Sequence, residues 1–329
     1  MEEILMELTA WHHTTGIRAK RMAETKDLPR EEWLALRKKG IGGSDISAIA
    51  GLNPWRSAID VFLDKTNRVP STPDNPKMMW GRILEDPVAR QYAQETGKKI
   101  AKVNAMLQHP EHDFALVNLD RIARNGTTGA LEVKTTGWAN DWAENNIPDH
   151  YYCQVIWEMG VSGLPWAQFA TLIAGQDLVI PDVINFPEES WNTLLSMAER
   201  FWHDNVLKDV PPPPDENPAT KDAYKLLYPE VLEQTVKIGP ELEKLIKERQ
   251  KLADVEKRAK SNRATIDSQI LATMKTAKWA VGQDYKVTRV LKTSQKFNSK
   301  KFKEAHPDLF AAFSSSSETI YPLVRAIKK

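Results

Sequence analysis

Asp120, Glu132 and Lys134 are the residues whose types and spacing could do chemistry in this chain. Glu132 and Lys134 flank one residue on a run that reads as a strand, so they share a face, while Leu131, Val133 and Thr135 point to the other. A hairpin would bring Asp120 across to the same face. Two carboxylates and an ammonium at the end of a small sheet suit metal-assisted phosphodiester hydrolysis. The carboxylates hold a hard, oxygen-seeking cation such as Mg²⁺, which neutralises transition-state charge and acidifies bound water. Lys134 then orients or deprotonates the attacking water. Taken alone the spacing is a weak pattern, because Glu and Lys neighbours are common on exposed strands.

Other residues gather around this trio. Tyr151 and Gln154 stand at i, i+3 on the following helical segment, whose other face of Tyr152, Val155, Ile156 and Met159 supplies core. The Gln154 amide is thereby offered to a phosphate or a metal-bound water. Glu85 is a third acidic candidate, on an otherwise core-packing helix. Upstream, Arg37 precedes the run Ile41-Gly-Gly-Ser44, with Ser44 expected as an N-cap. A glycine turn leading into a helix aims backbone N–H groups at an anion, and a guanidinium adds a bidentate contact. Each of these residues alone would read as a solvated polar face or a plain cap.

Competing chemistries find little support. The 7 histidines include no i, i+4 pair, the single Cys153 lies between core positions, and no phosphate-cradling GxxxxGK[ST] occurs. One cysteine excludes a disulfide scaffold, a Cys-rich zinc site and a Cys-ligated iron–sulfur cluster.

The elements that must position these residues are legible in outline. Leu28–Lys39 reads as a short helix ended by Gly40, and 44–50 as a second one closed by Gly51. Trp80–Thr96 reads as an amphipathic helix ended by Gly97. Residues 113–137 suggest a hairpin: one strand over 113–123, a turn over 124–129 and a strand over 130–136. A helix from Pro148, a strand over 167–175 and a helix from Pro187 to about Leu207 follow. Helices alternating with mixed strands predict an α/β core.

The chain has 329 residues, 41% hydrophobic and 27% charged, an ordinary globular balance. No apolar run reaches the roughly 18 residues of a membrane span, and the acidic N-terminus is unlike a signal peptide, so a cytoplasmic protein is expected. Val210–Asn217 carries four consecutive prolines, a stiff spacer. Residues 1–209 therefore read as one domain, 210–217 as a linker and 218–329 as an appendage. The net charge of +1 hides a division: residues 223–329 hold 22 basic and 12 acidic side chains. In the appendage, Leu245, Leu252, Ala259 and Ile266 keep a seven-residue spacing interrupted by polar partners, which predicts a long helix docked on its own domain. A hairpin over 278–291 and a terminal helix over 300–313 complete it. Between Lys275 and Lys303 nine basic residues, among them Lys286, Arg289 and Lys292, face one acid, with Trp279 and Tyr285 interleaved. Such a ribbon suits DNA backbone tracking.

Read in order, Trp33–Arg37, Ile41–Ile46, Trp80-Gly81 with Glu85, Asn118–Asp120, Glu132-Val133-Lys134 and Tyr151-x-x-Gln154 resemble the YqaJ-like viral recombinase family. That family is similar to phage lambda exonuclease and belongs to the PD-(D/E)XK nucleases. The resemblance implies a restriction-endonuclease-like core that digests linear duplex DNA from 5′ ends with Mg²⁺ or Mn²⁺, leaving a 3′ strand for a single-strand annealing protein. It implies Asp120, Glu132 and the Val133 carbonyl as metal ligands, Lys134 as the water-activating base, and Glu85 and Gln154 as assistants. It places the 5′-phosphate at Arg37 and Ser44, with Tyr151 among the DNA contacts, and suggests a ring-shaped trimer. Arg121 stands where lambda exonuclease has glycine, and Asn118 where it has serine. The alternatives are a structure-selective endonuclease on the same core and a non-catalytic scaffold that binds DNA ends.

Overall fold

The fold comes from a computed structural model that describes residues 15–70, 74–137, 142, 146–315 and 321–324. In chain order the first unit runs β1 (Lys20–Glu24), α1 (Arg30–Arg37), α2 (Gly43–Ile49), α3 (Ala58–Lys65), α4 (Pro76–Thr96), β2 (Lys99–Ala101), β3 (Ala105–Gln108) and β4 (Leu116–Val117). It continues with β5 (Arg121–Asn125), β6 (Thr127–Thr136), α5 (Asp149–Ser162), β7 (Trp166–Ile173), β8 (Asp177–Val179), β9 (Ile184–Asn185), α6 (Glu188–Arg200) and α7 (Thr220–Leu227). A π-helical stretch, Phe201–Val206, extends α6.

The main sheet has the order β2-β5-β6-β7-β8, with β9 also on β7. Only β6 and β7 pair in parallel. A parallel pair needs a crossover, and α5 supplies it. Helices cover both faces. Leu131 and Val133 pack with Val88, Ala89 and Tyr92 of α4 on one side. Ile122, Ala130 and Phe169 join Val155, Ile156 and Trp157 of α5 on the other. This is a mixed-sheet α/β core, as the sequence predicts.

The strand expected over 113–123 divides in two. β4 pairs with β3 in a separate sheet of order β1-β3-β4, while β5 joins the main sheet. Between them the Asn118 amide donates to the Ala105 carbonyl at 3.1 Å, which pulls that segment toward β3. The break leaves Asp120 just ahead of β5, where the two sheets part. The turn is also tighter than expected: Asn125 pairs with Thr127, and Gly126 closes the loop at φ 75°, a left-handed value that favours glycine. Helix α4 begins at Pro76 rather than Trp80, because the Asn75 side chain caps it by accepting from the Met78 N–H at 3.0 Å.

The compact units divide after Pro229, not at the prolines. Asn217 donates to the Asn53 carbonyl at 2.6 Å, and Ala223 of α7 enters the core of the first unit, so the polyproline spacer is bound to that unit.

The second unit holds α8 (Pro240–Met274), a hairpin of β10 (Trp279–Val281) and β11 (Lys286–Thr288), α9 (Ser299–Ala305) and α10 (Pro307–Phe313). Helix α8 buries only Met274 and leaves Leu245, Leu252 and Ile266 exposed, so it is not docked as its heptad spacing suggested. Arg249, Glu256 and Arg263 fall between those apolar residues and are exposed, which keeps the stripe wet. The terminal helix expected over 300–313 is broken at His306, because the residue before a proline is driven out of the helical region.

Candidate active site

The register of β5 on β6 pairs Arg121 with Leu131, so Asp120, one residue earlier, falls opposite Glu132. Its carboxylate accepts from the Val133 N–H at 3.0 Å. A strand residue directs its N–H and C=O to the same edge, so the Val133 carbonyl also faces Asp120 beyond the end of β5. Glu132 is 2% exposed, on the face turned to α5. There it forms an ion pair with Lys134 and accepts from the Gln154 amide. Lys134 also donates to the side-chain Oε1 of Gln154 at 3.2 Å and lies 4.9 Å over the Tyr151 ring. Tyr151 in turn stacks on Trp142 at 5.7 Å.

The electrostatics are those of buried, crowded carboxylates. Burial and the neighbouring Glu132 push the Asp120 carboxyl up to about 7. Burial disfavours the Lys134 ammonium, but Glu132 and Asp120 outweigh it and hold the lysine charged well above its usual range. In this arrangement Lys134 is a proton donor to its neighbours. Glu85 sits half-buried on α4, paired with Arg121; burial and Asp120 raise its carboxyl. Arg121 also donates to Asp86 at 3.1 Å and to the Asp120 carbonyl at 2.6 Å. Arg121 thus ties Glu85 to the start of β5, next to Asp120.

Arg37 and Ser44 meet, the guanidinium donating to the hydroxyl at 2.7 Å. Ser44 is not the N-cap, however. Gly42 holds that position, and its N–H donates to Asp45 at 3.0 Å. Asp45 is 1% exposed and paired with Lys65 at 2.7 Å and Arg56 at 2.5 Å. Burial alone would raise this carboxyl, but Lys65, Arg56 and Arg37 together hold it well below the usual range. Lys65 also donates to the Arg37 carbonyl at 2.9 Å, which joins α1, α2 and α3 in one ionic knot. Gly43, the chain neighbour of Ser44, faces Gln154 and Glu158. A Cβ on Gly43 would come 3.0 Å from Gln154 Cγ and 3.3 Å from Glu158 Oε1, so any larger residue would crowd these side chains where α2 meets α5.

Sequence reading missed Glu158. It is 2% exposed, accepts from Gln154 at 2.8 Å through Oε1 and has no partner for Oε2 among the described residues. Burial, then Glu132 and Asp120, raise its carboxyl well above the usual range. The available signal was its i, i+4 spacing from Gln154 on α5. Asp45, Arg56, Lys65 and Arg121 were missed as well. Lys286, Arg289 and Lys292 belong to the second unit, on β11 and the segment after it.

The donor set fits a hard divalent cation. Among the described residues no three His, Cys, Asp or Glu side chains stand together as a ready cage. Asp120, Glu132 and the Val133 carbonyl are nonetheless all oxygen donors. Glu132 and Glu158 are buried and Asp120 is half-buried, Lys134 is the ammonium paired among them, and Glu158 Oε2 has no hydrogen-bond partner among the described residues, an excess of acid that a cation would relieve.

Fold and site together define a mixed-sheet α/β protein with a buried acidic, lysine-bearing centre. The family model for the YqaJ-like viral recombinase domain matches residues 32–165. YqaJ of Bacillus subtilis (strain 168) is 32% identical over 306 residues, 90% of this chain and 94% of that protein. A protein of African swine fever virus (strain Badajoz 1971 Vero-adapted) is 26% identical over 118 residues, 33% of this chain and 34% of its own length. The crystal structure of an alkaline exonuclease from Laribacter hongkongensis aligns at 17% identity and a TM-score of 0.47, covering 55% of this chain and 94% of that one. The chain belongs to the YqaJ-like viral recombinase domain family.

Proposed function

We propose that the chain is a metal-dependent 5′→3′ exonuclease that digests linear double-stranded DNA and leaves 3′ single strands for phage-type recombination. One observation carries the reading: Glu132, Lys134 and Gln154 form a hydrogen-bonded cluster, and Asp120 is held against the Val133 N–H between Glu132 and Lys134, at the mouth of the β5–β6 ladder. Asp120, Glu132 and the Val133 carbonyl would hold Mg²⁺ or Mn²⁺, which supplies charge neutralisation at the scissile phosphate and a water of lowered pKa. Lys134, charged and anchored by Glu132, orients the attacking water and stabilises developing phosphate charge. Gln154 fixes that ammonium, and Glu85, held by Arg121, adds negative potential beside Asp120. Arg37 and Ser44 bind the terminal 5′-phosphate, with Tyr151 shaping the floor beneath Lys134. The basic hairpin of the second unit, with Lys286, Arg289 and Lys292, contacts the DNA backbone.

Membership in a viral recombinase family supports a single-strand annealing protein as partner, a homo-oligomeric ring and action in the host cytoplasm. Among the described residues no helix is long and apolar enough to cross a membrane.

Parallel digestion of linear, nicked and closed circular duplex with Mg²⁺, and again with EDTA, tests the reading. Linear DNA should be consumed from 5′ ends only when metal is present, and Asp120→Ala or Glu132→Ala should abolish turnover in folded protein. Cleavage of closed circles would make the chain an endonuclease. DNA-end binding without hydrolysis would make it a scaffold, and full activity in EDTA would remove the metal from the mechanism.

A further inference from the structure

Trp55 has no part in the scheme above, yet it stands on the rim of the site with 70% of its surface exposed. A single exposed apolar residue is ordinary in itself. This one is carried rigidly. The Asn53 side chain accepts from the backbone N–H groups of Trp55 at 3.0 Å and Arg56 at 3.1 Å, and its amide donates to Ser47 at 3.2 Å. Asn217 clamps the same turn through the Asn53 carbonyl at 2.6 Å.

Two connections fix what Trp55 overlooks. Its chain neighbour Arg56 pairs with Asp45, the carboxylate that also takes the Gly42 N–H beside the Arg37–Ser44 pair. On its other side the indole meets the His150 ring edge-on at 5.1 Å, and His150 lies 4.1 Å from the ring of Tyr151, over which Lys134 sits. Contacts thus link Trp55 through Arg56 and Asp45 toward the group expected to hold the 5′-phosphate, and through His150 and Tyr151 toward the group expected to act at the next phosphate. A nucleotide spanning those two points carries one base between them. An edge-on neighbour leaves an indole face open, and a π-face accepts any base, as a nuclease indifferent to sequence requires.

We propose that the Trp55 indole is a stacking platform for the 5′-terminal nucleobase of the DNA end. The proposal rests on the exonuclease reading. It is tested by binding of the full chain, in EDTA, to 5′-phosphorylated duplexes whose terminal 5′ nucleotide either carries a base or is abasic. For the wild type, removing the base should weaken binding about tenfold, within the range of single-base stacking on an aromatic. Trp55→Ala should bind the intact end as weakly as the abasic one, and Trp55→Phe should keep most of the difference. Equal affinity of the wild type for both ends would overturn the proposal, as would an undiminished abasic penalty in Trp55→Ala. Failure of the exonuclease reading is separately visible, as loss of Mg²⁺-dependent digestion of the intact duplex by the wild type.

Discussion

Asp120 has the most consequential single environment in the molecule. Its carboxyl is raised from 3.8 to about 7 by burial and by Glu132, so between those values the folded chain binds a proton that the unfolded chain has lost. Stability linked to this group is therefore fully present below about pH 4 and lost as pH rises through about 7. In EDTA the thermal midpoint of the wild type should fall relative to that of Asp120→Asn across this window. Saturating Mg²⁺ should raise the wild-type midpoint more at pH 8 than at pH 6, because the cation competes with the proton. Parallel pH profiles for the two proteins would show that Asp120 does not titrate there. Arg37 makes a second prediction at this scale. A 5′-phosphorylated end should be digested faster than a 5′-hydroxyl end, and Arg37→Ala should erase most of that difference, since a bidentate guanidinium–phosphate contact is lost. Rates independent of the 5′ group in the wild type would refute the pocket.

Helix α5 is the element on which the site depends. It carries Tyr151, Gln154 and Glu158 on the face turned to β6 and α2, while Gly160 lies against the ring of Trp191 on α6. A Cβ at Gly160 would enter that ring, so Gly160→Ala must shift α6 or tilt α5. Overpacking of this kind typically costs about 1–3 kcal/mol. Urea unfolding should show that loss as a lowered midpoint. An unchanged midpoint would mean the helices separate freely. The β4–β5 break matters in the same way: it is the departure of β4 to its own sheet that frees Asp120 from strand pairing and leaves it available to a cation.

At the scale of the whole molecule the two units divide the charge. The unit after Pro229 is strongly basic, and its hairpin exposes Trp279 and Tyr285, with Lys278 4.7 Å and Lys286 5.9 Å from the Trp279 ring centre. If this ribbon contacts phosphates, neutralising Lys286, Arg289 and Lys292 together should flatten the slope of log affinity against log salt by up to about three units. Turnover at saturating DNA should hardly change, because Asp120, Glu132 and Lys134 belong to the other unit. An unaltered salt slope in folded protein would leave the ribbon as solvated surface.

Local rules were enough to make much of this legible. Strand alternation put Glu132 and Lys134 on one face and Val133 on the other, helical spacing set Tyr151 beside Gln154, glycine marked the C-terminal end of α4, and proline and glycine marked the two ends of α5. These patterns depend on residues a few positions apart, where backbone geometry alone decides neighbours. Tertiary structure decided what depends on distant partners. Asp45 reads as an ordinary first-turn acid until Lys65 and Arg56 fold over it. Glu158 reads as a helix-face charge until Gly43 brings α2 against it. Asn118 ends a strand only because Ala105 lies within its reach. The unit boundary moved for the same reason: prolines mark a stiff segment, but whether stiff chain separates two bodies or lies along one depends on contacts such as Asn217 with Asn53, made 164 residues apart. Burial and charge pairing are properties of the assembled core, and no local spacing encodes them.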